Sequence, residues 1–294
     1  MHDRNRQTRH PAVSINLARP LMLIAALGIG ASAPSFAQTP SPLQEWQYSS
    51  GIVLEKLFQP DIPDWRDVLG VGVEHKPLYD GSPLTRTQVG PVINIRYRDI
   101  AFASIGEGLG VNVFSGPQYR AGIALGYDLG RRVSDDVGNL HGLNDIARAP
   151  LFKMFGSYVI SKDFPLVLRA DVRQIIGGAD GMQGDVEAYM PLPGSSKRLI
   201  MFAGPSITFS DRRYTEKVFG VTAAQTASSG YDAYDAHGGL TAAGFGFSAT
   251  TFVTEHWLVN VDAAIDRLLG SARDSPITKT TTQRVLALSL AYSW

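Results

Sequence analysis

The chain contains no cysteine. That absence excludes a disulfide-stapled fold, a thiolate zinc site and a lipid anchor on cysteine. It also lacks an excess of charge, since 27 Lys and Arg balance 27 Asp and Glu over 294 residues. Without net positive charge or a basic stripe, nucleic acid is excluded as a partner. Long apolar runs are missing too. Nothing after the N-terminal segment approaches the roughly 18 uninterrupted apolar residues of a spanning helix. A membrane protein built from this sequence must therefore be a closed β-barrel, the other structure that satisfies every backbone group in hydrocarbon.

The N-terminus reads as an export signal. Arg4, Arg6, Arg9 and Arg19 precede the apolar run 21–29, and Ser35-Phe36-Ala37 offers a small-x-small cleavage site. Residues 1–37 are accordingly expected to be a signal peptide and 38–294 a single barrel domain. Cleavage removes four basic residues and one acidic residue, Asp3, leaving 23 against 26 and a net charge of −3.

What the mature chain has in abundance is two-residue alternation. In its last nine residues, LALSLAYSW, the side chains of Leu286, Leu288, Leu290, Tyr292 and Trp294 share one face and Ala287, Ser289, Ala291 and Ser293 the other. A bulky apolar face opposite a small one fits a strand with lipid outside. Tyr292 and Trp294 then sit at the periplasmic interface, where a terminal aromatic resembles the signal read by the barrel-assembly machinery. Similar alternation marks 67–76, 89–98, 101–114, 118–130, 151–161, 165–174, 182–192, 198–210, 240–253 and 257–265.

These are eleven strands, and an odd count would put the long connections 131–149, 211–237 and 269–283 on the periplasmic side. Adding a strand from 46–57 makes the number even and sends all three loops outward, as bacterial barrels prefer. The fold class is therefore all-β, a transmembrane antiparallel up-and-down barrel of about twelve strands. Ten remain an alternative, and 46–59 could instead be a plug. The inner face is small or charged. Arg96, Arg120, Asp128, Arg169, Asp171, Arg173, Asp185, Glu187 and Asp262 line the predicted lumen. They either select solutes by charge or close the lumen by pairing, and their mixed signs fit a latched interior better than a wide channel. Glu107 falls on an otherwise apolar face, at an interface or beside a bulge.

Several stretches carry a family resemblance: GVGVEHKPLYDGS (70–82), GLGVNVF (108–114), RAGIALGYDLGR (120–131), HGLNDI (141–146), ADVRQIIGGADGMQGD (170–185), GPSITFSDRRYTEKVFGVT (204–222), ASSGYDAYDAHGGL (227–240) and DSPI (274–277). Together they cover nearly all of the mature chain, which resembles the MipA/OmpV family of Gram-negative outer-membrane proteins. The resemblance implies the outer-membrane compartment, with its lipid as solvent. It also implies a scaffold between murein hydrolases and synthases, the partners being a murein lytic transglycosylase and a penicillin-binding synthase. Other branches of the family are associated with adhesion or permeability, so a small-solute channel and a surface adhesin stand as alternatives. The resemblance carries over no interaction residue.

Motifs for chemistry are sparse. His141 beside Asp145 and His237 beside Asp235 form the one loop arrangement that could serve acid–base work, and solvated loop histidines explain them as well. Asp135, Asp136, Asn139 and Asp145 do not follow the spacing of a calcium loop. The glycines around Glu107 run on into another strand rather than a helix, so they hold no nucleotide. No cofactor and no catalytic function is expected. Tyr214, Phe219, Tyr231 and Tyr234 in the long loop 211–237 could recognise a protein partner or fold back as a lid.

Overall fold

The computed structural model describes residues 64–196 and 198–294. The expected signal peptide and the expected strand at 46–57 lie outside the described residues. Twelve strands form a closed antiparallel barrel in which each pairs with its neighbours in sequence and the last closes on the first. They are β1 (Trp65–Pro77), β2 (Thr85–Tyr97), β3 (Ala101–Ser104), β4 (Gly108–Ser115), β5 (Tyr119–Asp128), β6 (Ala149–Val159), β7 (Val167–Ile175), β8 (Met182–Pro191), β9 (Leu199–Ser210), β10 (Gly239–Phe252), β11 (Trp257–Leu268) and β12 (Thr282–Ser293).

Alternation sets the two surfaces of the wall. Leu286, Leu288 and Leu290 of β12 are exposed on the outside with Leu125, Met154, Val172, Phe245 and Ile265, while Ser289 and Ala291 are buried. Such a band of exposed aliphatic groups is stable only against lipid. Near the short-turn end the band meets rings. Trp65 lies 4.8 Å from Tyr97, and Trp257 and Trp294 lie 5.4 and 5.7 Å from Tyr292. Rings with a polar edge suit the bilayer interface.

The count of twelve arises differently from the sequence expectation. The run 101–114 is not one strand but the hairpin β3–β4, turning at 105–107 with Gly108 at φ +87. Its partners, Ser104↔Gly108 and Phe102↔Gly110, are all even-numbered on the inner face. A three-residue turn thus leaves the two-residue phase unbroken, and periodicity alone cannot see it. Glu107 belongs to this turn and is buried, not set on the outer face.

The two ends of the barrel differ. One carries only the short links 98–100, 116–118, 160–166, 192–198 and 253–256; the other carries 129–148, 211–238 and 269–281. The long links fold into a cap with four helices: α1 (Val137–Leu140), α2 (Arg212–Phe219), α3 (Ala223–Ser229) and α4 (Gly270–Asp274). Asp211 caps α2 by accepting from Tyr214 N at 2.8 Å. Thr222 and Gln225 form a reciprocal capping box on α3, and Gly230 ends it in the left-handed region at φ 75.

Candidate functional site

The lumen is filled in layers. Towards the short-turn end Val159, Val167, Tyr189 and Phe202 form an inward apolar cluster. Above it lies a charged layer centred on the β3–β4 turn. Glu107 pairs with Arg96 and stands 3.8 Å from Arg169, and Arg120 Nη1 lies 3.9 Å from Asp99. The guanidinium groups of Arg96 and Arg169 rest over Phe102 and Phe155, 5.3 and 5.5 Å from the ring centres. Nearer the cap, Arg173 pairs with Asp185, whose other oxygen accepts from Thr208 Oγ1 at 2.6 Å. Glu74 holds Lys76 at 2.5 Å and accepts from Gln88 Nε2 at 3.1 Å. Asp262 accepts from Asn260 Nδ2 at 2.5 Å.

All nine charged residues expected in the lumen are turned inward and 1 to 5 % exposed: Arg96, Arg120, Asp128, Arg169, Asp171, Arg173, Asp185, Glu187 and Asp262. Glu187 lies directly across from Arg169 on the neighbouring strand. Sequence reasoning missed Glu74, Lys76 and Lys153, and it set Glu107 on the apolar face, whereas the structure buries it inside. The first two were legible from the alternation of VGVEHK. Lys153 was masked because LFKMFGSYV is apolar on both faces.

Above the charged layers the cap seals the mouth. Tyr79, Leu140, Leu143, Val221 and Ile277, from four different links, pack together, and Phe219 packs with Ala236, Leu268 and Ala272. Arg131 Nη1 donates to Val218 O at 2.8 Å, Ser275 Oγ to Phe219 O at 2.6 Å and Ser228 Oγ to Gly142 O at 2.8 Å. Burial, with Asp136 nearby, pushes the Tyr79 phenol up to about 12. Burial also raises Tyr214 and lowers Arg131. Between cap and lumen a cavity of about 190 Å³ remains, lined by Glu74, Lys76, Asp128, Arg131, Arg173 and Asp185 among others.

The loop aromatics belong to the cap. Tyr214 and Phe219 are buried, and the half-buried Tyr231 and Tyr234 donate to Asn139 O and Ser271 O at 2.9 and 3.0 Å. Of the two roles open to these rings, an exposed recognition patch does not fit Tyr214 and Phe219, because docking onto apolar neighbours removes them from water. The loop histidines are not assembled with their neighbouring acids. Asp145 accepts from Val133 N at 2.7 Å, and Asp235 pairs with Arg212 at 3.0 Å. Asp136 is the N-cap of α1. At the short-turn end Tyr292 is half-buried and Trp294 exposed, within the ring cluster described above.

Solved barrels resemble this one loosely. The outer membrane channel DcaP of Acinetobacter baumannii is 8% identical, with TM-score 0.35, over 78% of this chain and 96% of that one. OmpT, an outer membrane protein of Vibrio cholerae, is 11% identical, with TM-score 0.35, over 80% and 99%. OprG from Pseudomonas aeruginosa is 9% identical, with TM-score 0.26, over 78% and 95%. At these values the likeness carries no argument about function. No curated protein matches the chain. The sequence profile described as MltA-interacting protein MipA matches residues 69–294, from within β1 to the end of β12. The closed barrel with its lipid-facing band is thus that of a Gram-negative outer-membrane protein, and the chain belongs to the MltA-interacting protein MipA family.

Proposed function

We propose that the protein is a non-enzymatic scaffold, holding a murein lytic transglycosylase and a penicillin-binding synthase at the periplasmic side of the outer membrane. The observation that carries this reading is the asymmetry of the barrel. Its long-loop end is spent on an internally packed cap and its lumen on ion pairs, so the short-turn end is the surface left for partners. In bacterial barrels the short turns face the periplasm. Phe164 and Val253 are exposed there, beside Lys162, Asp163, Arg198 and Glu255. Large apolar groups within a polar rim are the composition of a docking surface. The description of the family as MltA-interacting points to the same class of partner.

The test is capture of purified lytic transglycosylase by the barrel in detergent. Retention is expected, lost when 160–166 and 253–256 are both replaced by minimal turns and kept when 212–237 is shortened. Failure of the intact, crosslinked barrel to recover any murein hydrolase or synthase from its own envelope would sink the proposal. The cavity beneath the cap keeps one second reading in view, a gated passage for small solutes.

A further inference from the structure

Among the described residues the barrel wall is open on one side above the β3–β4 turn. β3 pairs with β2 only from Asn94↔Ser104 to Tyr97↔Ala101, which leaves Thr85–Ile93 of β2 above the hairpin tip. The other arm, β4, reaches Leu125 of β5 and no higher. Among the described residues, twelve strands surround the lumen below the tip and ten above it. Among the described residues, β2 and β5 do not pair across the opening. Above the tip the β2 rim is about 30 Å of strand and the β5 rim, Gly126–Asp128, about 10 Å.

The rim is built for an opening. Ile93 O accepts from Ile105 N at 3.1 Å, so the odd-numbered residues of β2 turn their backbone groups towards the hairpin side. One of them is Pro91, which has no N–H to leave unpaired at the edge. A bare edge is tolerated at bilayer depth only where it lines a wet cavity. Inside, Gly72, Gly90 and Gly126 lie on the inner face beside the opening and send no side chain into it. Outside, Val89, Leu109, Leu125 and Tyr127 are exposed.

Behind the rim the charge is mixed, since Glu74, Asp80 and Asp266 line the same cavity as Lys76. Arg86 lies directly opposite Lys76, and like charges so placed repel. Glu74 is committed to Lys76 and Gln88. Asp128, on the far rim, is turned to the cap, where it accepts from Gly130 N at 2.8 Å. Among the described residues Arg86 has no ion pair, and its buried Nε has no hydrogen-bond partner.

We infer that the gap between β2 and β5 is a lateral portal for an anionic lipid of the outer leaflet, its acyl chain crossing the rim and its acidic headgroup meeting Arg86. A molecule that is apolar at one end and negative at the other matches lipid outside the rim and Arg86, without an ion pair among the described residues, inside it. This goes beyond the scaffold reading and does not depend on it.

The test uses the full chain in phosphatidylcholine vesicles doped with phosphatidylglycerol carrying a photoactivatable acyl chain, with adducts mapped by mass spectrometry. Adducts on the inward residues Gln88 and Val92 are expected besides those on the outward Val89 and Leu109. Arg86→Gln should lower the inward adducts about tenfold relative to the outward ones, and Arg86→Lys should keep most of them. Because mutants can fail to fold, the wild-type barrel is also probed with the same acyl chain on phosphatidylcholine, which should label the inward residues poorly. Equal inward labelling by both probes would overturn the inference, as would adducts confined to outward residues. So would a disulfide between Val89→Cys and a cysteine placed within 46–57, which the cysteine-free background makes readable, because the chain itself would then fill the gap.

Discussion

Glu107 is a carboxylate held by arginines at the centre of a membrane protein. Arg96 and Arg169 both approach it, and all three side chains are buried. Replacing it by Gln leaves two guanidinium groups with less counter-charge, a change that costs about 3–5 kcal/mol for a buried pair. Glu107→Gln should therefore lower the urea midpoint of the detergent-folded barrel markedly, while Asp64→Asn, at the fully exposed pair with Arg98, leaves it in place. An unchanged midpoint in Glu107→Gln would mean that the charged layer is not latched. The charges on β5, β7, β8 and β11 were legible because each lies in phase with an alternating strand. Glu107 was not, because an odd-numbered position in that phase points to lipid and the turn that redirects it leaves no break in the pattern.

Among the elements, the same turn accounts for the strand count. The expected count of about twelve holds, and because the β3–β4 hairpin stops short of the cap, ten strands among the described residues continue above its tip. The cap was legible only in part. The polar, aromatic composition of 211–237 marks a long loop, but the burial of Tyr214 and Phe219 depends on partners from 129–148 and 269–281, which no local pattern encodes. Its helices were within reach: Thr222 followed by Gln225 three residues on is a capping box. Thr222→Ala removes that cap and should cost about 1 kcal/mol, felt locally. Hydrogen exchange should quicken at Ala223–Ser229, and the unfolding midpoint of the strands should not move. A drop in global stability would instead make the cap part of the same cooperative unit as the barrel.

At the level of the whole molecule, the question is what closes the barrel. Three barriers lie in series along its axis: the apolar cluster around Tyr189, the ion-paired layers, and the cap. Side chains in the first two are held by packing and by charge, so removing the cap alone should not create a wide pore. Planar-bilayer recordings separate the contributions. The intact protein should be silent, and replacing 212–237 by a short turn should yield at most small, brief steps. Adding Arg96→Ser and Arg169→Ser to that deletion should bring steady conductance with cation preference, because Glu107, Asp171 and Glu187 then outnumber the cations of their layer. Steady large conductance from the intact chain would place the open state within ordinary fluctuation and favour the solute-passage reading over the scaffold. Silence even in the combined variant would locate the decisive barrier at Val159, Val167, Tyr189 and Phe202, the end of the lumen that faces the proposed partners.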